Sequence, residues 1–148
     1  IGDNRFLIGL VATNLTPLAP SEVQLDMLGN FGKPHAATEA DIQDIIGRFA
    51  LTAALFKEAG LDGVQVHSAH GYLLSQFLSP RTNRRQDHWG GSLANRARLL
   101  LEVIRAVRAR VGPAYPISVK LNSSDFVKGR LHPGRKHPGC AVAERCGH

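Results

Sequence analysis

The sequence predicts an α/β fold built on parallel strands, and three observations predict it. Apolar residues recur at helical spacing from Thr38, a run with the period of a strand follows Gly60, and the same helix-then-strand order repeats up to Leu121. Strands that alternate with helices in this way pair in parallel through right-handed crossovers, as in a barrel or an open doubly wound sheet.

Ahead of Thr38 the pattern is weak. Residues 6–12 form a short apolar run that reads as a strand, followed by the Pro-containing stretch TNLTPLAPSE and a second irregular stretch through GNFGKP. From Thr38 onward Ile42, Ile45, Ile46, Phe49, Ala53 and Phe56 share one helical face. Thr38 with Asp41 three residues on is a capping-box start, and Gly60 is a C′ residue, so a helix is expected over 39–59. Residues 61–67 then alternate Val64 and Val66 with Gly63 and Gln65, as a strand does. A long polar connection, SPRTNRRQDHWGGS, leads to a second helix that starts near Ser92. It carries Leu100, Val103, Ile104, Val107 and Val111 on one face and stops at Gly112-Pro113. Residues 116–121 are the next strand, and no internal repeat of 20 to 50 residues is present.

The chain has 148 residues, 43% of them hydrophobic and 20% charged, enough for one core of ordinary size and unlike a disordered segment. No apolar run approaches the roughly 20 residues of a membrane span, and no signal-peptide pattern opens the chain, so the expectation is a cytoplasmic protein without a membrane partner. Two cysteines, Cys140 and Cys146, are too few for a disulfide framework. The first residue is not methionine, and an upstream piece is expected. The formal charge of +6 suggests nucleic acid until it is located: the segment from Lys128 carries +4 of it and contains no Phe, Tyr or Trp to stack on bases. No nucleic-acid partner is expected.

The chemistry-bearing stretch is VQVHSAHGYLLSQFLSP, residues 64–80. His67 and His70 stand at the C-terminal end of an expected parallel strand, the edge where barrels and doubly wound sheets assemble their sites. Two neutral imidazoles there can donate hydrogen bonds to one oxygen as it gains charge, an effect worth about 3 kcal/mol per donor in a dry site. Spacing alone leaves a second reading open, a pair of hydrogen-bonded structural histidines. Tyr72 can give a proton or hydrogen bond from its phenol, or simply pack at a helix start, and Gly71 permits the turn between them. A metal would need further ligands, and Asp87 and His88 lack zinc spacing, so no metal site is assigned. Gly90-Gly91-Ser92 reads as helix capping rather than a phosphate loop because no strand precedes it. Arg84, Arg85, Arg96 and Arg98 could grip a phosphate, but a solvated or loop-bracing basic cluster is the commoner outcome. Lys120 alternates with Val119 and Leu121 in ISVKLN and points to one face of the strand, where an anionic or carbonyl group, such as one on a cofactor, would satisfy it.

The phrases APS, H-x-A-H-G-Y-L-L-x-Q-F-L-S-P, N-x-R-x-D-x-W-G-G-S and N-R-x-R, spread over residues 18–128, resemble the old yellow enzyme family of FMN-dependent NAD(P)H oxidoreductases. That resemblance implies a (β/α)8 TIM barrel, of which this chain would be the central portion only. FMN would sit at the C-terminal face, reduced by NADH or NADPH, and would reduce a small-molecule activated alkene or enone, as in an ene reductase. By matching positions, His67 and His70 would bind the substrate carbonyl oxygen, Tyr72 would protonate the α-carbon, and Lys120 would bind the cofactor near the flavin pyrimidine and stabilise its reduced form.

A complete barrel takes about 250 residues. The expectation is therefore a partial barrel over residues 1–127, inactive alone, that joins a second copy or a complementing chain because it exposes sheet edges and apolar surface. A non-catalytic half-barrel interaction module is the alternative. Residues 128–148 form a basic tail unlike the family. One codon choice for GRLHPGRKHPGC reads GGFTPEESIRVA once a single base is dropped, a helix start with Thr as N-cap and Pro at N1, so a frameshift near Gly129 is expected.

Overall fold

The computed structural model describes residues 16–24 and 32–123. The expected strand over residues 6–12 and the basic tail lie outside them. The elements run β1 (Leu18–Ala19), β2 (His35–Ala36), α1 (Glu39–Glu58), β3 (Val64–Ser68), α2 (Leu73–Leu78), α3 (Leu93–Val111) and β4 (Ile117–Leu121).

The helix over 39–59 forms as its sequence dictates. The Thr38 hydroxyl accepts from the Asp41 N–H, the Asp41 carboxylate accepts from the Thr38 N–H at 2.8 Å, and both ends of the capping box are closed. At the other end Gly60 takes φ 82°, a left-handed conformation that costs a glycine little. The strand after it starts later than the alternation suggests, at Val64 rather than residue 61, because Leu61 and Asp62 are spent on the turn out of α1. In that turn the Leu61 carbonyl accepts the Tyr115 hydroxyl at 2.8 Å. α3 begins on Ser92, whose hydroxyl accepts from the Asn95 N–H, so GGS acts as a cap as expected. It ends on Gly112 at φ 87°.

All four strands pair in parallel, β1 with β2 and β3 with β4, as two separate two-stranded sheets among the described residues. The described part is thus α/β with parallel pairing, not one continuous four-stranded arc. α1 and α3 pack along one another and against one face of the β3–β4 pair. The core there holds Ile42, Ile45 and Ala53 from α1, Leu99, Leu100, Val103, Val107 and Val111 from α3, Phe77 from α2 and Val66 from β3. Phe56, expected on the buried face of α1, is 45% exposed, and with Leu51, Leu55 and Leu61 it forms an apolar surface at the helix end.

Two elements escape a reading by periodicity. β1 and β2 are two residues each, too short to show a period, and lie inside stretches that read as irregular. α2 has six residues and directly follows the histidines. The polar connection after it is held by its own side chains. The amide of Asn83, 4% exposed, donates to the Phe77 carbonyl at 2.7 Å and the Trp89 carbonyl at 2.8 Å. The Arg85 guanidinium meets Asp87 at 2.6 Å and donates to the carbonyls of Pro20 (3.1 Å) and Ala37 (2.7 Å). Trp89 sends its indole N–H to Glu39 at 2.7 Å. Gly90 is required for a steric reason, since a Cβ there would lie 2.3 Å from the Arg85 carbonyl oxygen.

Asn83→Ala leaves two interior carbonyls without donors, and unsatisfied buried groups cost about 1–3 kcal/mol each. We expect a loss of stability of about 2 kcal/mol or more, read as a lower midpoint in urea denaturation.

Candidate functional site

Side chains alternate across a strand, so β3 has two chemically distinct faces. Val66 and Ser68 are buried toward the helices, whereas Gln65 and His67 occupy the opposite face. The parallel register sets Gln65 beside Ser118 and His67 beside Lys120. The Gln65 amide reaches the Ser118 hydroxyl at 3.3 Å. The face turned from the helices is therefore polar along both strands, with His67 and Lys120 nearer its C-terminal edge.

Beyond Ser68 the chain reverses within three residues. His70 has φ 57°, the one non-glycine residue among those described with a positive φ, and Gly71 follows at φ 78°. These two left-handed steps fold the segment back, so the His70 ring stands edge-on to His67 with centroids 5.4 Å apart and the Tyr72 ring tilts against His67 at 5.0 Å. Tyr72 is also the N-cap residue of α2, without a side-chain cap, which leaves its phenol free for the cluster. The three aromatic residues singled out by the sequence are brought together, and Lys120 joins them across the sheet.

Burial holds the His67 pKa below the ordinary histidine value of 6.5, and the neighbouring His70 and Lys120 add to the effect. The ring is neutral at pH 7, with one N–H to donate and one nitrogen to accept. Among the described residues no side chain or carbonyl takes a hydrogen bond from the imidazoles of His67 and His70 or the phenol of Tyr72. Lys120, largely exposed, likewise forms no ion pair there. Polar heads that converge without partners among the described residues suit an external ligand. A cation and neutral N–H donors on one face fit a carbonyl-bearing, electron-rich group, so the FMN expectation is compatible with these residues.

Of the remaining candidates Arg84 is exposed, and Arg85, Asp87, Arg96 and Arg98 are occupied by structure. Arg85 and Asp87 bind each other, and that contact with Arg85 holds the Asp87 carboxyl below its usual range. Arg96 donates to the carbonyls of Leu78 (2.9 Å) and Gly91, and Arg98 to that of His88 at 2.8 Å. No group of three or more potential metal ligands occurs among the described residues, and no helix there is long and apolar enough to cross a membrane.

Sequence reasoning missed Asn122. Its side-chain oxygen accepts the His70 backbone N–H at 3.0 Å, linking the ends of β3 and β4. Only the strand register, with Ser68 opposite Leu121, brings Asn122 near this turn.

Comparison with known proteins gives a consistent answer. The chain is 44% identical over 131 residues to the NADH-dependent flavin oxidoreductase nadA of Aspergillus parasiticus, covering 86% of this chain and 30% of that protein. It is 44% identical over 119 residues to an NADH oxidase of Thermoanaerobacter brockii, covering 80% and 18%. Among solved structures it matches a 2-naphthoyl-CoA reductase in complex with 2-naphthoyl-CoA at 34% identity and TM-score 0.79, over 88% of this chain and 19% of that one. It also matches the old yellow enzyme homologue from Zymomonas mobilis at 34% identity and TM-score 0.66, over 72% and 32%. The chain thus spans less than a third of these proteins. The sequence model of the NADH:flavin oxidoreductase / NADH oxidase family matches residues 12–132, and this chain belongs to that family, whose members use FMN and NADH or NADPH.

Proposed function

We propose that these residues form the substrate edge of an FMN-dependent ene reductase, acting on an activated alkene conjugated to a carbonyl. The observation that carries the reading is the convergence of His67, His70 and Tyr72 at the end of β3, with centroid separations of 5.4 and 5.0 Å and no protein partner for their polar atoms among the described residues. Because the chain spans a minor part of its relatives' length, the activity is proposed for a barrel to which these residues contribute.

Lys120 is among the residues that would hold FMN, which, once reduced by NADH or NADPH, would supply a hydride to the β-carbon of the alkene. As that carbon is attacked, negative charge moves onto the substrate carbonyl oxygen. His67 and His70 donate N–H bonds to that oxygen, and such donors lower the barrier because they bind the transition state more strongly than the ground state. His67 suits this work because its lowered pKa keeps the ring neutral, so it offers the charged oxygen a hydrogen bond without handing over its proton. Tyr72 delivers its phenolic proton to the α-carbon, a transfer that a positioned acid accelerates. Lys120, paired in register with His67 on the neighbouring strand, would supply positive charge to a bound flavin and so favour its reduction.

A second reading, a non-catalytic interaction module, has the exposed apolar surface of Leu51, Leu55, Phe56 and Leu61 in its favour. Bound flavin, seen as visible absorbance in the purified protein, separates the two.

In the FMN-loaded holoenzyme, His67→Ala combined with His70→Ala is expected to lower enone reduction by about 10²-fold or more, the scale of losing oxyanion donors. Unchanged turnover with NADH and an enone would overturn the site.

The lowered His67 pKa also has a sign in stability. Above the ordinary value of 6.5 both folded and unfolded chains carry a neutral ring; below it the unfolded chain binds a proton that the folded one resists. Folding stability is therefore expected to fall as pH drops below 6.5 toward the depressed folded pKa. His67→Gln removes that part of the slope, as checked by urea midpoints between pH 5 and 7.5.

A further inference from the structure

We propose that Asn122 is a positioning residue that sets the His70 ring against His67, an inference that rests on the proposed substrate edge. His70 holds φ 57° although it has a Cβ, a conformation that L side chains rarely adopt unless the surroundings impose it. The surroundings hold the Ala69–His70 peptide from both sides: the Ala69 carbonyl accepts from the Tyr72 N–H at 3.2 Å and the Ser75 hydroxyl at 3.3 Å, and the His70 N–H is held by Asn122. Asn122 lies one residue past the last register pair, Ser68 with Leu121, and its side-chain oxygen takes the His70 backbone N–H at 3.0 Å. Without that acceptor, the His70 N–H has no other partner among the described residues.

The rest of the turn is anchored independently. Tyr72 N–H donates to the Ala69 carbonyl at 3.2 Å, Ser75 donates its hydroxyl to the Tyr72 carbonyl at 2.8 Å, and Gln76 donates to the Gly71 carbonyl at 2.8 Å. These bonds close the turn through the carbonyls of Ala69, Gly71 and Tyr72, and among the described residues they leave the His70 N–H to Asn122. Asn122 therefore decides where one of the two oxygen donors points while touching neither substrate nor flavin through this bond. It also makes β4 a partner in the geometry, since a shift of β4 along β3 would carry the acceptor away from His70.

The test compares Asn122→Leu, which keeps the volume and removes the acceptor, with Asn122→Asp, which keeps the acceptor. Amide hydrogen exchange followed by NMR on the chain is expected to show at least 10-fold faster exchange at His70 in Asn122→Leu, with Val66 in the middle of β3 unchanged. Asn122→Asp should retain the protection. In the FMN-loaded holoenzyme, Asn122→Leu is expected to lower kcat for enone reduction about 10-fold while leaving flavin content intact. Asn122→Asp should recover most of that loss and move the acid limb of the pH profile upward, because its charge favours protonated imidazole. Equal loss in both variants, or no loss in either while His67→Ala abolishes turnover, would overturn the positioning role alone. Full turnover in His67→Ala would instead overturn the substrate edge on which this inference rests.

Discussion

The parallel pairing of β3 with β4 is the constraint on which the rest depends. Two parallel strands cannot be joined by a tight turn, so the chain must travel from one end of the sheet to the other, and α3 supplies most of that length. The helix then buries Val103, Val107 and Val111 against α1 and the strands, which commits one sheet face to the core and leaves the other polar. His67 and Lys120 meet because the register makes them neighbours, not because the chain brings them close in sequence. Slipping the register by one residue would separate the imidazole from the ammonium and turn one strand's polar face into the helices.

At the two ends of that pair the chain uses different devices. Near the N-terminal edge Gly63 packs so tightly that an added Cβ would sit 3.0 Å from Pro116, and Arg108 draws together the carbonyls of Gly112 and Tyr115 at 2.8 and 2.5 Å. These contacts seal the base with backbone groups. At the C-terminal edge the polar atoms of the His67, His70 and Tyr72 side chains have no hydrogen-bond partner among the described residues. Two open grooves occur elsewhere on the surface, one beside Trp89 and Glu102, the other beside Gly63 and Tyr115, and neither takes in the histidine cluster. The division matches α/β enzymes in general, where one end of the sheet stabilises and the other reacts.

How legible this was depends on the range of each interaction. Thr38 with Asp41, and Ser92 with Asn95, are three residues apart, so their caps could be read directly, and the apolar faces of α1 and α3 could be read from period alone. β1 and β2 could not, because a two-residue strand has no period and exists only through a partner 17 residues away. The arginines of the polar connection have targets fixed by the fold: Arg85 finds carbonyls 65 and 48 residues distant, and nothing local distinguishes it from the exposed Arg84. Of the candidate site, His67, His70 and Tyr72 were visible because they lie within six residues of one another. Asn122 was hidden because its partner is 52 residues upstream and is a backbone N–H, which no residue pattern advertises.

The fourteen-residue connection from Ser79 to Ser92 leaves the reactive edge of the sheet, where long loops commonly open and close over a substrate. Here Asn83, Arg85, Trp89 and the Arg84 N–H, which donates to the Ser21 hydroxyl at 3.0 Å, tie it at once to α2, α1 and the residues just past β1 and β2. Opening it would break all of these bonds together, so this long connection is a fixed part of the fold and not a movable lid.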